Sequence, residues 1–385
     1  MNKLLILLGF FALSACTTLQ GTGDLGVVIG RADGFVDIVR HTDNAILSRV
    51  KGLGDLSHAS VVFSRDARYA FVFGRDGGLT KVDLLESKIV KRIIQAGNII
   101  GGAISQDGKM VVAQNYEPGG IKAFDAETLE LLADIPATFD GDRTSRVVGL
   151  VELPNRRFAY ALFDAGEIRI TDLSDLNTPK TQIFHAGKQP YDALLTPNGR
   201  YYIAGLFGED GLALLDLWAE KPQVRKILAG YAKNEPNLPV YKMPHLRGWA
   251  IAGNHAYLPA IGRHEVLVVD TETWQETARI AVKSQPVFVM ARPDGRQVWV
   301  NFAFPHNAFV QVINTQTQKV THTLEPGKAI LHLEFTPKGE AVWLSARDDN
   351  RVWIYDTETV APVKSFEIKS PSGIFFTTRA LKMGL

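Results

Sequence analysis

Seven times along this chain an aspartate, or once an asparagine, closes an apolar stretch and is followed by a polar turn. The copies are Val82-Asp83-Leu84, Phe124-Asp125-Ala126, Thr171-Asp172-Leu173, Leu215-Asp216-Leu217, Val269-Asp270-Thr271, Ile313-Asn314-Thr315 and Tyr355-Asp356-Thr357, and Val39-Arg40-His41 is a degenerate eighth. From Arg40 onward the closing positions are 43, 42, 47, 44, 54, 44 and 42 residues apart. A repeat of that length built from strands predicts a β-propeller. One blade cannot bury both of its faces, so successive blades must stack radially around a central channel.

A second phrase supports the same unit. Ser64-Arg65-Asp66-Ala67-Arg68, Ser105-Gln106-Asp107-Gly108-Lys109, Thr196-Pro197-Asn198-Gly199-Arg200, Arg292-Pro293-Asp294-Gly295-Arg296 and Thr336-Pro337-Lys338-Gly339 all lie between alternating apolar stretches. Asp-Gly and Asn-Gly tolerate the positive φ of tight hairpins. Each unit therefore reads as strand, tight turn, strand, loop, strand ending in Asp, turn, strand. The expected fold is all-β: an eight-bladed propeller of four-stranded antiparallel blades over residues 24–385.

The first residues do not belong to that repeat. Lys3, the apolar run Leu4 to Leu13 and Leu13-Ser14-Ala15-Cys16 describe a secretory signal over residues 1–15, too short to span a bilayer. The Leu-Ser-Ala-Cys ending resembles a bacterial lipobox, which implies lipid attachment at Cys16 and a lipidated tether over 16–23. Thr17 stands where a retention-type Asp would, so the resemblance favours the periplasmic leaflet of the outer membrane. Cys16 is the only cysteine, which excludes disulfides, thiolate metal sites and a covalently attached c-type haem.

Lysine and arginine total 42 against 41 acidic residues, with no basic stripe of the kind nucleic-acid phosphates require. Gly21-Thr22-Gly23-Asp24-Leu25-Gly26 fits the dinucleotide fingerprint, but a strand, Val27-Val28-Ile29, follows it instead of a helix. Without a helix N-terminus to meet the pyrophosphate, NAD is rejected.

Propeller ligands sit on the rim formed by the loops between blades and the loops after each second strand. Register within the repeat puts His255 on the opposite rim, His41 at an outer turn and His322 on an outer strand. His58, His245, His264, His306 and His185 fall on the functional rim. His58 precedes Asp66 by eight residues and His245 precedes Asn254 by nine, so they occupy one position in blades four apart. In a ring of eight they face each other across the axis, where imidazoles can ligate the metal of a planar macrocycle. Arg75, Arg143, Arg146, Lys188, Arg247, Arg263 and Arg347 share these loops and suit carboxylates. Tyr116, Tyr191, Trp249 and Phe304 can stack on a ring.

His58-Ala59-Ser60, Arg68-Tyr69-Ala70-Phe71-Val72-Phe73-Gly74-Arg75-Asp76-Gly77 and Val82-Asp83-Leu84 resemble the opening of the eight-bladed d1-haem domain of cytochrome cd1 nitrite reductase. Asn115-Tyr116-Glu117-Pro118, Thr171-Asp172-Leu173-Ser174-Asp175 and Ser370-Pro371-Ser372-Gly373-Ile374-Phe375 resemble further blades, so the similarity covers essentially Asp24 to Arg379. It implies that His58 is the proximal ligand of the haem iron. Pro244-His245-Leu246-Arg247-Gly248 is similar to the distal His-Pro-x-Arg-Gly segment, one residue shorter and without that proline. The chain lacks Cys-x-x-Cys-His and the reductase's cytochrome c domain. A single propeller behind a lipobox is instead similar to the NirF-type haem d1 biosynthesis family.

That resemblance implies a periplasmic protein that binds haem d1 or a late tetrapyrrole precursor and performs or enables a late maturation step, with nitrite reductase and other pathway proteins as partners. The expected cofactor contacts are His58, His245, Arg75, Arg247, Tyr116, Arg143 and Arg146. His264, Asp192, Tyr191 and Glu117 are the acid–base candidates. With no second redox centre, repeated oxidation or reduction would need an external electron partner. A carrier of finished haem d1 and a cofactor-free outer-membrane scaffold remain open, and whether the chain is an enzyme is left undecided. A quinone-cofactor propeller is disfavoured because the six tryptophans form no regular docking repeat.

Overall fold

In the computed structural model, which describes residues 21–230 and 250–382, each repeat forms one four-stranded antiparallel sheet, eight in all among the described residues. The closing aspartates explain the spacing. The Asp83 carboxylate accepts from the Leu85 and Glu86 backbone N–H groups, both at 3.0 Å, and Asp125, Asp270 and Asp356 repeat the arrangement in their own turns. Each thus folds the chain back from third to fourth strand by a local hydrogen-bonded turn. At the degenerate copy, Arg40 instead pairs with Asp43 at 2.6 Å.

Blade 2 shows the pattern: Ser60–Phe63 innermost, then Tyr69–Phe73, Gly78–Asp83 and the exposed Lys88–Ile94. Blade 1 is assembled from both ends of the chain. Its innermost strand is Pro371–Phe376, which pairs with Leu25–Gly30, followed by Phe35–Arg40 and Ala45–Lys51. This closure pairs edges that would otherwise invite aggregation. Thr377 reinforces it by donating to the Thr22 carbonyl at 2.7 Å. A small extra hairpin, Thr138–Phe139 with Arg143–Thr144, projects between blades 3 and 4.

The core lies between blades. Phe71 and Phe73 of blade 2 pack on Ile99, Val111 and Ala113 of blade 3, and each such buried aromatic contributes roughly 1.5–3 kcal/mol. A Cβ on Gly102 would come within 2.1 Å of the Phe73 ring, so only glycine lets these two sheets close.

One end of the channel is sealed. After its last strand the chain makes a short 3-10 turn, Thr377–Leu381, across that end. Arg379 forms a two-pronged pair with Glu334 at 2.6 and 2.7 Å, and Arg65 donates to the Ala380 carbonyl at 2.7 Å. The opposite rim carries the loops between blades, so among the described residues access to the channel is from that side.

Candidate functional site

The inner strands of blades 4, 5, 7 and 8 each lose register near the open rim, at Val148/Val151, Pro190/Ala193, Pro286/Val289 and Ile330/Leu333. Such bulges re-aim side chains. Asp192, Phe288 and His332 stand at the same register, each six residues before the hairpin position held by Asn198, Asp294 and Lys338. All three line one axial cavity of about 180 Å³. Its other polar walls are His58, Ser60, Gln114, Tyr191 and Arg379; Ile100, Val148, Met290, Leu333 and Phe375 supply apolar surface. Small-molecule sites usually measure roughly 300–1,000 Å³, so this cavity by itself takes only one edge of a large planar ligand.

His58 is exposed at the mouth of the cavity, on the loop that enters blade 2. Buried Leu56 anchors that loop, and the Asp55 carboxylate accepts from the Ser57 N–H at 2.8 Å. Those hydrogen bonds hold the Asp55 carboxyl below its usual range. Ser60 Oγ, two residues further on, is buried and meets no partner among the described residues.

Three guanidiniums gather beside this loop. Arg31 donates to the Ser57 carbonyl, and burial, followed by the charge of Arg347 and then of Arg75, lowers its pKa, with Asp55 opposing. Arg347 pairs with Asp348 at 2.6 Å, whereas Arg31 and Arg75 make no ion pair among the described residues. Half-buried Arg31 and exposed Arg75, neither held in an ion pair among the described residues, suit an anionic ligand.

A second group links Tyr116, Arg146, Tyr191 and Asp192. The Arg146 guanidinium lies 5.4 Å from the Tyr116 ring and is paired with Asp164 at 2.5 Å. Tyr191 packs on Phe163 and Phe207, and burial, together with Tyr116 and Asp192, pushes its phenol well above the usual range. Tyr191 therefore keeps its proton and serves as a donor at neutral pH.

The structure brings His58, Tyr191 and Asp192 to the cavity itself, with Tyr116, Arg146 and Arg75 around it. Glu117 is exposed where its strand ends. Arg143 is exposed on the extra hairpin and paired with Asp140. Lys188 is exposed on the loop into blade 5, His185 ends an outer strand, and Phe304 is 63% exposed. His306 Nδ1 lies 3.0 Å from Ser284 Oγ. Arg263 donates to the Gly230 carbonyl at 3.3 Å, and the neighbouring His264 has a buried Nε2 with no partner among the described residues. Neither of these two lines the cavity. His245, Arg247 and Trp249 lie outside the described residues.

Sequence reasoning missed Arg31, Ser60 and His332. His332 had a usable signal, since it matches Asp192 when the two repeats are aligned on their hairpins. Among the described residues no three or more His, Cys, Asp or Glu side chains cluster to hold a metal ion. A histidine at the mouth, cations beside it and a buried unpartnered hydroxyl fit a macrocycle that brings its own equatorial donors.

The chain's relatives share this architecture. The cytochrome D1 heme domain family matches residues 20–380. Protein NirF of Stutzerimonas stutzeri is 57% identical over 385 residues, covering 99% of this chain and 98% of that protein. Protein NirF of Pseudomonas aeruginosa is 58% identical over 370 residues, covering 95% and 94% respectively. The solved structure of the dihydro-heme d1 dehydrogenase NirN in complex with DHE matches with a TM-score of 0.83 at 25% identity, over 94% of this chain and 78% of that one. The chain belongs to the NirF family, within the cytochrome D1 heme domain proteins.

Proposed function

We propose that this protein acts in haem d1 biosynthesis by binding haem d1 or a late tetrapyrrole precursor at the open end of the propeller channel, and that it performs or enables a late maturation step for nitrite reductase. The observation that carries the reading is the pairing of His58, at the mouth of the axial cavity, with the unpaired guanidiniums of Arg31 and Arg75 beside it. His58 would hold the iron through an imidazole nitrogen, as its place at the cavity mouth allows. Arg31 and Arg75 receive the ligand's carboxylates. Tyr191, kept protonated, donates to an acceptor atom at the cavity wall, and Asp192 beside it accepts.

His245 and Arg247, which lie outside the described residues, are further proposed contacts, and Tyr116 and Arg146 flank the cavity. We place the protein in the periplasm, held by a lipid on Cys16 to the inner leaflet of the outer membrane, where other haem d1 pathway proteins and nitrite reductase are its partners. Repeated redox turnover at this site would draw electrons from such a partner through the open rim.

The test is a titration of the detergent-solubilised full chain with haem d1, followed by visible absorbance. Saturable one-to-one binding with bands of a histidine-ligated haem supports the reading. Folded protein that leaves the haem spectrum unchanged returns the molecule to the class of cofactor-free scaffolds.

A further inference from the structure

Among the described residues His332 is the one histidine in the wall of the axial cavity away from its mouth. It lies on Ile330–Phe335, the inner strand of blade 8. Its ring is held between Phe288, edge-on with centroids 6.2 Å apart, and Phe375 at 5.3 Å. Its Nδ1 lies 3.2 Å from the Ile374 backbone nitrogen. The amide can only donate there, so Nδ1 must carry a lone pair and the ring proton must sit on Nε2. Among the described residues Nε2 meets no hydrogen-bond partner, while the ring lines the cavity. Burial, helped by Arg379 and opposed by Glu334, lowers the pKa to about 4, so the ring is neutral at physiological pH.

The charges around it are segregated. Arg379 below is already neutralised by Glu334, and Asp192 is the carboxylate on the cavity wall. The unpaired cations, Arg31 and Arg75, stand at the mouth. A ligand carboxylate is therefore favoured at the mouth and disfavoured at depth, where a neutral N–H suits an uncharged acceptor.

We infer that His332 is a fixed, neutral hydrogen-bond donor whose Nε2–H donates to a carbonyl-type oxygen on the inserted edge of the tetrapyrrole, so that it orients the macrocycle and does not ligate the iron. The inference rests on the binding mode proposed above. It separates the two cavity histidines by chemistry: His58 presents a lone pair, His332 a proton. It also fixes which edge of the ligand enters, with the carboxylate-bearing edge left at the rim.

Two measurements test it. Isotope-edited NMR of the histidine ring nitrogens in the full chain, with the His332 signal assigned by its loss in His332→Gln, should show the proton on Nε2 from about pH 5 to 8. A proton on Nδ1, or an imidazolium in that range, overturns the assignment whether or not haem binds. Titration with haem d1 should then show about a tenfold loss of affinity in His332→Phe and less than about a threefold loss in His332→Gln, which keeps a donor. The iron-sensitive bands should stay unchanged in both variants. Altered bands in His332→Gln would make His332 an iron ligand, and equal affinity in His332→Phe would remove it as an orienting group. Failure of the wild-type chain to bind haem d1 refutes the binding reading but leaves the NMR result standing.

Discussion

The two ends of the channel use arginine in opposite ways. At the sealed end Arg379 is held two-pronged by Glu334, with side chains only 13% and 8% exposed, and Arg65 reaches three backbone carbonyls and lies 3.7 Å from Glu152. Burial works to lower the pKa of Arg379, but the Glu334 charge more than offsets it. At the open end Arg31 and Arg75 share a loop region with Arg347 and make no ion pair among the described residues. A buried charge without its partner costs several kcal/mol, so the sealed end must be internally satisfied in order to fold. The open end is near enough to water for cations to go without a carboxylate partner. The sealed end thus pairs its buried arginine, whereas the open end pairs Arg146 and Arg347 but leaves Arg31 and Arg75 without an ion pair among the described residues.

The harshest challenge to that contrast is Glu334→Gln, which strands the Arg379 charge. It should cost about 3–5 kcal/mol in chemical denaturation. A loss under about 1 kcal/mol would show that the floor is not held by this pair. Next comes His58→Ala, which should lower haem d1 affinity on the order of 100-fold and shift its main absorption band, with the denaturation midpoint unchanged. Unaltered spectrum and affinity would take His58 out of the site.

Acidification probes the depth of the cavity. His332 has a folded-state pKa of about 4, below its unfolded value of 6.5, so the unfolded chain binds more protons between the two. This group's contribution is present above the unfolded value and is lost as pH falls toward the folded one. Relative to His332→Gln, the wild type should lose about 1–2 kcal/mol across that window, discounted for partial hydration of the cavity wall. Parallel pH profiles for the two proteins would show that His332 titrates normally. The smallest effect is expected at His41, which packs edge-on against Phe376 at 5.2 Å, far from the rim. His41→Ala should cost about 1 kcal/mol of stability and leave haem d1 affinity unchanged. Weakened binding there would break the division between the ends.

The blades were legible because their signals are local. An aspartate that accepts two backbone N–H groups within its own turn has the same effect wherever the repeat places it, as at Asp83 and Asp356. Tight-turn glycines are equally local, and Gly108 and Gly199 take φ of 71° and 73°. Counting these phrases gave the number of blades, the strand order and the rim, and with them His58, Tyr191 and Asp192 as cavity candidates.

Arg31 and His332 were not legible, for different reasons. Arg31 follows Leu25–Gly30, which becomes a second strand only because Pro371–Phe376, from the far end of the chain, supplies the inner one. Until the ring closes, nothing local marks Arg31 as a rim residue. His332 sits beside a register shift in its inner strand, where simple two-residue alternation no longer tells which side chains face the channel. The sequence alone determined the repeat and its rim, because short-range hydrogen bonds encode them. Which side chains meet on the axis, and which charges go unpaired there, was decided only by closure of the ring and by bulges in strands that touch across it.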